Sequence, residues 1–97
     1  MKVDGKLIVT DETKASALEK LDARMKELDL KYTVTEKPVQ FTELTVELDI
    51  SKLKVIKHLF TLVKAPEEEI KYLAKVNSVV IATAKDILTQ VLQSIRG

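Results

Sequence analysis

Few side chains in this sequence could do nucleophilic, acid–base or metal chemistry. His58 is the only histidine, and the chain has no cysteine. Protein zinc sites are built mainly from these two residue types, so no metal centre is predicted. Ser51 precedes His58 by seven residues, two turns of a helix, which is too far for a serine–histidine nucleophile pair. We therefore expect a protein that is not an enzyme and has no cofactor.

The densest acidic group is Glu67 to Glu69, directly after Pro66. Proline suits the first position of a helix, and negative charge in the first turn interacts favourably with the helix dipole. This placement explains the three glutamates without acid catalysis or a hard metal ion.

A basic surface is the most specific candidate for binding. The segment 52–64 contains four lysines, one histidine and no acidic residue. Contacts to phosphates or to an acidic partner are predicted for Lys54, Lys57, His58, Lys64 and Lys71. Arginine, the usual reader of bases, is absent from this set, so nucleic acid would be held through its phosphates and in a salt-dependent way. The alternative is an ordinary solvated helix face.

Charge is divided unevenly along the chain. Residues 1–50 carry eight basic and eleven acidic side chains, whereas residues 51–97 carry eight and four. The acidic half includes Glu43, Thr45, Glu47 and Asp49, which alternate along a predicted strand and would share one face of a sheet. That face could receive a cationic partner, or it could simply be solvated and partly paired with Lys31.

The longest periodic stretch lies at the C-terminal end. Apolar residues recur at helical spacing from Ile70 to Ile95 and predict one helix from Pro66, about 44 Å long. Its apolar arc is about 160° wide, more than the ~100° that one packing face needs. Asn77 lies within this arc, and a central asparagine in paired helices can bond its own copy. We therefore expect self-association through Asn77, Val80, Ile81, Ala84, Leu88, Val91 and Leu92. The alternative is a local hydrogen bond of Asn77 within one chain.

The N-terminal half predicts a turn, a strand, a helix and two further strands. Asp4-Gly5 is typical of a turn, and residues 6–10 follow as a short strand. An apolar stripe then predicts a surface helix ending near Leu30. Residues 31–35 and 39–50 alternate as strands. In the second of these the apolar parity changes after Phe41, which requires a β-bulge near Thr42-Glu43 or a strand that pairs only from Glu43.

The next predicted helix covers residues 52–64, with Ser51 as its cap. Its apolar face contains Leu53, Ile56, Leu59, Phe60 and Val63. The element order β-α-β-β-α-α predicts a single α+β domain over residues 1–97. We expect a small three-stranded mixed sheet, with helices on one face and the long amphipathic helix last.

These features predict a small non-enzymatic interaction or regulatory protein. It would form homo-oligomers, a dimer first, through its last helix and bind a partner protein. The absence of cysteine and of a membrane-spanning apolar run leads us to expect a cytoplasmic protein without membrane contact. The alternative is a nucleic-acid-associated protein that contacts phosphates through the helix 52–64. A third hypothesis is an enzyme subunit whose site forms only between chains.

Overall fold

The computed structural model describes residues 1–38 and 40–95, together with the backbone of Arg96. In chain order the elements are β1 (Lys2–Val9), α1 (Lys14–Glu27), β2 (Thr33–Pro38), β3 (Thr42–Asp49), α2 (Leu53–Leu62), α3 (Glu67–Leu73) and α4 (Asn77–Arg96). The predicted α+β class is confirmed, with one helix more than expected.

The three strands form an antiparallel sheet in the order β1-β3-β2. The predicted mixed sheet is wrong, because β3 lies between β1 and β2 and runs antiparallel to both. The central position suits β3, since its inward residues Leu44, Val46 and Leu48 are all buried. Burying the most apolar strand in the middle of the sheet removes the largest apolar area from water.

The register of β3 resolves the change of parity. Pairing with β1 and β2 is continuous from Thr42 onward, so β3 needs no bulge over its length. Phe41 lies just before the strand and is half exposed, whereas Val39 lies outside the described residues. The strand therefore begins at the point where the even-numbered apolar alternation begins.

Gly5 lies in the middle of β1 rather than in a turn, so that prediction is wrong. It pairs with Val46 of β3, and α4 crosses β1 directly above it. A Cβ atom on Gly5 would lie 2.8 Å from Cδ1 of Leu92 and 3.2 Å from Cδ2 of Leu88. Glycine therefore leaves room for the side chains of Leu88 and Leu92, which lie where a Cβ atom would stand.

Helices α1 and α4 contact each other, and α4 packs on β1. α1 contributes Ala17, Leu21 and Met25 to the core. The opposite face of the sheet is open, as expected. It displays Thr33, Thr35, Thr45, Glu47 and Asp49, which are exposed or half-buried.

The predicted single helix from Pro66 to Ile95 is wrong: α3 ends at Leu73 and α4 begins at Asn77. Between them, the amides of Lys75 and Val76 bond the carbonyl oxygens three residues earlier, a tighter pattern than the α-helix. The Val76 carbonyl then accepts the first hydrogen bonds of α4. Because Ala74 stays in right-handed helical geometry, the break hardly disturbs the hydrophobic period, which explains why the sequence pattern did not reveal it.

Candidate binding surfaces

The residues predicted to join two copies through α4 are mostly in the core of one chain. Val80, Ala84, Leu88, Val91 and Leu92 are at most 6% exposed, and Ile81 is half-buried. The broad apolar arc of α4 is therefore covered by its own sheet and by neighbouring helices. Asn77 is exposed at the first residue of α4, so its pairing with a second copy stays a prediction.

Residues 52–76, which contain α2 and α3, are called the arm below. α2 contacts α4, whereas the main contacts of α3 are with α2. No residue of α3 is buried. The molecule measures 46 × 22 × 18 Å, so it is clearly elongated. The arm thus combines a packed inner helix with an outer helix that has little cover.

Two sets of contacts hold the arm in place. Ile56, Leu59 and Phe60 of α2 are buried in the core. Nε2 of His58 lies 2.8 Å from the carbonyl oxygen of Leu28, at the end of α1. A carbonyl only accepts, so Nε2 is the donor of this hydrogen bond. His58 was predicted to contact phosphates, but it is half-buried and serves as a link between α2 and α1.

The arm exposes four large apolar side chains to solvent. Leu53, Val63, Tyr72 and Val76 are 56%, 46%, 71% and 44% exposed. The prediction that Leu53 and Val63 pack inward is wrong, because they stand at or just beyond the two ends of a ten-residue helix. The core contacts α2 through Ile56, Leu59 and Phe60 and, in part, through Val55 and Leu62, which leaves Leu53 and Val63 outside it.

The predicted lysines are exposed as expected. Lys54 and Lys57 lie three residues apart, about one turn, on α2. Lys64 follows the end of the helix, where its backbone has a positive φ of 60°. Lys71 is exposed on α3, as is Lys75 in the turn that follows. Within the described part of the chain, none of these five ammonium groups forms a salt bridge. The arm therefore offers positive charge beside apolar side chains.

The acidic sheet face carries less uncompensated charge than its own residues suggest. Lys2 of β1 forms a salt bridge of 3.1 Å with Glu47, and Lys6 forms one of 3.3 Å with Glu43. These bridges cross from the edge strand to the central strand. Because the lysines of β1 neutralise part of the negative charge, this face is a weak candidate for binding a cationic partner. The arm is the stronger candidate, for binding an acidic partner.

The perturbed carboxylates have local structural causes. Hydrogen bonds from Lys26 and then Tyr32 lower the pKa of Asp22. The hydroxyl of Ser51 donates to Oδ1 of Asp49 at 2.7 Å, and with the Ser51 amide it lowers the pKa of that carboxyl. Ser51, the predicted cap of α2, is thus used to close a turn after β3. These hydrogen bonds fix local geometry. Tyr32 and Asp49 also line one small, half-open pocket of about 180 Å³.

A cavity of about 380 Å³ forms a half-open groove beside the last residues of β1. Its walls come from β1, the start of α1 and the end of α4, and include Val9, Glu12, Ser16, Lys20 and Ile95. The part of the chain that the structure describes contains no group of three histidine or acidic side chains arranged to hold a metal ion. Nor is any helix within it long and apolar enough to cross a bilayer.

Comparisons of this chain with protein-family models, curated proteins and solved structures gave no significant match. The function is therefore inferred from the surfaces just described.

Proposed function

We propose that this protein is a non-enzymatic interaction module whose arm binds an acidic, apolar segment of a partner protein. The observation that supports this proposal most directly is the combination of exposed Leu53, Lys54 and Lys57 on α2 with exposed Lys64 just after that helix. Exposed apolar residues rimmed by polar ones are typical of sites for protein association.

The lysines favour an acidic partner over a neutral one. The positive charge of the arm lysines attracts an oppositely charged surface and speeds its association. Leu53 lies beside Lys54 and one helical turn from Lys57. An apolar side chain of the partner could be desolvated against Leu53 while carboxylates of the partner reach the ammonium groups around it. Buried apolar anchors supply most of the free energy in such interfaces, and charges at the rim add specificity.

The test compares two triple variants with the same change in net charge. Lys54→Glu, Lys57→Glu and Lys64→Glu reverse the arm face, whereas Lys20→Glu, Lys31→Glu and Lys85→Glu reverse exposed lysines elsewhere. Tagged wild-type and variant proteins are used to capture partners, which are identified by mass spectrometry and then purified for direct titration. A true partner binds the wild type and the control but loses at least about tenfold in affinity for the arm variant, or about 1.4 kcal/mol. Equal binding of a purified partner by both variants contradicts the proposal.

Lys54, Lys57 and Lys64 also support a second candidate function, the binding of nucleic acid through its phosphates. Three phosphate contacts would give a slope of about −2.7 for the logarithm of the binding constant against the logarithm of salt concentration on duplex DNA. Gel-shift titrations with the same two variants separate the candidates. Binding that is absent, independent of salt, or unchanged in the arm variant removes nucleic acid as the ligand of this face.

A further inference from the structure

The outer edge of β1 is placed to accept another strand. β1 and β2 are the two edges of the sheet. The amide of Ile50 donates to the carbonyl oxygen of Met1 at 2.9 Å, which shows that odd-numbered positions of β1 exchange hydrogen bonds with β3. In an antiparallel ladder the positions between them direct their backbone groups the other way. The amides and carbonyls of Lys2, Asp4 and Ile8 therefore point to the outer edge, where a further strand can pair.

Charge and the length of the overlap together favour a second β1 as the pairing strand, in one register. A second β1 must place even-numbered positions opposite even-numbered positions to form hydrogen bonds. Centred on Asp4, such a pair sets Asp4 against its own copy, and centred on Lys6 it sets two lysines together; like charges directly opposite are unfavourable. Two other centres pair opposite charges, twice by symmetry. Centred on Val3, Lys2 faces Asp4 but only residues 1–5 overlap, whereas centred on Gly5, Asp4 faces Lys6 of the second copy and residues 1–9 overlap. The longer overlap forms more hydrogen bonds and favours the Gly5 register. Lys6 also contacts Glu43, and its charge would be shared between the two carboxylates.

The same register fills the groove beside β1. With Gly5 at the axis, residues 7–9 of one copy face residues 3–1 of the other. Residues 7–9 are the part of β1 that lines the cavity of about 380 Å³. Met1 of the second copy would then lie opposite Val9, near Ala17 and Ile95 on the groove wall. Two exposed apolar side chains, Met1 at 41% and Ile8 at 55%, would gain cover.

From the direction of the edge groups, the charge pattern and the position of the groove, we propose that two copies of this chain pair through β1 in the Gly5-centred antiparallel register. The product is a continuous six-stranded sheet made from two three-stranded ones. This proposal concerns self-association and does not depend on what the arm binds. A pair of short strands buries less than the roughly 1,600 Å² of a standard stable interface, so we expect a dimer that forms at micromolar concentrations or above.

The test uses two single variants that cannot self-pair but complement each other. Asp4→Lys places lysine opposite Lys6 of a second copy, and Lys6→Glu places glutamate opposite Asp4. Each variant alone should dimerise at least about tenfold more weakly than the wild type, because two attractive pairs become repulsive. Mixed in equal amounts, they restore both pairs, and native mass spectrometry should show the heterodimer. Lys37→Glu on the opposite edge strand is the control and should dimerise like the wild type.

Sedimentation velocity over a concentration series gives the association constants, and circular dichroism checks that each variant is folded. A wild-type chain that stays monomeric at about 100 µM overturns the proposal, since even weak specific pairs are populated there. So does dimerisation that survives in both single variants, or a mixture that fails to form heterodimers when the wild type forms homodimers.

Discussion

Replacing Gly5 by alanine tests the close approach of α4 to β1. The new Cβ would lie 2.8 Å from Cδ1 of Leu92, with two Leu88 atoms at 3.2 and 3.3 Å. The substitution must displace Leu92 or lift the helix, and overpacking of this kind typically costs about 1–3 kcal/mol. Alanine also restricts the unfolded chain, which offsets about 0.4–1 kcal/mol. We expect a net loss of about 1 kcal/mol, because Cδ1 is at the far end of a side chain that can rotate.

Urea denaturation followed by circular dichroism measures this loss. With a slope of about 1–3 kcal/mol per molar, the midpoint should fall by about 0.3–1 M. The measurement is made at about 1 µM and again at about 20 µM protein, so that any contribution from self-association shows as a dependence on concentration.

Leu92→Ala provides the matched background. That change alone should cost about 2–5 kcal/mol, since Leu92 is a buried core residue. With Cδ1 removed, Gly5→Ala should cost much less than it does in the wild type, a coupling of at least about 0.5 kcal/mol. If Gly5→Ala were neutral in the wild type, or cost the same in both backgrounds, the inferred contact between α4 and β1 would be wrong.

Three further predictions concern the arm and α1. Phe60→Ala should destabilise the fold by about 3–5 kcal/mol because Phe60 is buried. Val63→Ala, at an exposed position just after α2, should change stability by no more than about 0.5 kcal/mol. Urea denaturation of the two variants compares the buried and the exposed side of this segment. Val76→Asp should stabilise the protein by about 1 kcal/mol. Val76 stands at the N-cap of α4, where a valine side chain cannot accept a hydrogen bond from the first amides of the helix and an aspartate can. A melting temperature that is unchanged or lower contradicts this prediction. Burial and the hydrogen bond to Asp22 raise the pKa of Tyr32 above 10.0, so its contribution to stability is complete below about pH 10 and is lost as pH rises through the folded-state pKa. Tyr32→Phe should remove this part of the alkaline decline in a pH series of thermal unfolding, and an identical decline in both proteins speaks against it.

The parts of the fold that local patterns determine could be predicted from the sequence. The alternation of Leu44, Val46 and Leu48 identified the most buried strand and the open face opposite it, because successive side chains of a strand point to opposite sides. The lysines of α2 were placed correctly because they need only solvent. Each of these predictions depends on residues close together in the chain.

The errors concern contacts between distant residues. An Asp-Gly pair suits a turn, but pairing with Val46, about forty positions away, makes Gly5 a strand residue. His58 looked like part of a basic face until its hydrogen bond to Leu28, thirty positions earlier, placed it between helices. The insertion of β3 between β1 and β2 is likewise a choice among pairings that periodicity does not distinguish.

The weak cover of α3 has a consequence for the energetics of the arm. Because α3 buries no residue and packs mainly on α2, it can open while the sheet and α4 remain folded, at a free energy below that of global unfolding. Its amides should then exchange with solvent deuterium faster than those of β3 and at a rate almost insensitive to low concentrations of urea, since little surface is exposed. A ligand that binds only the closed arm would slow this exchange, so the local opening equilibrium sets part of the free energy of binding.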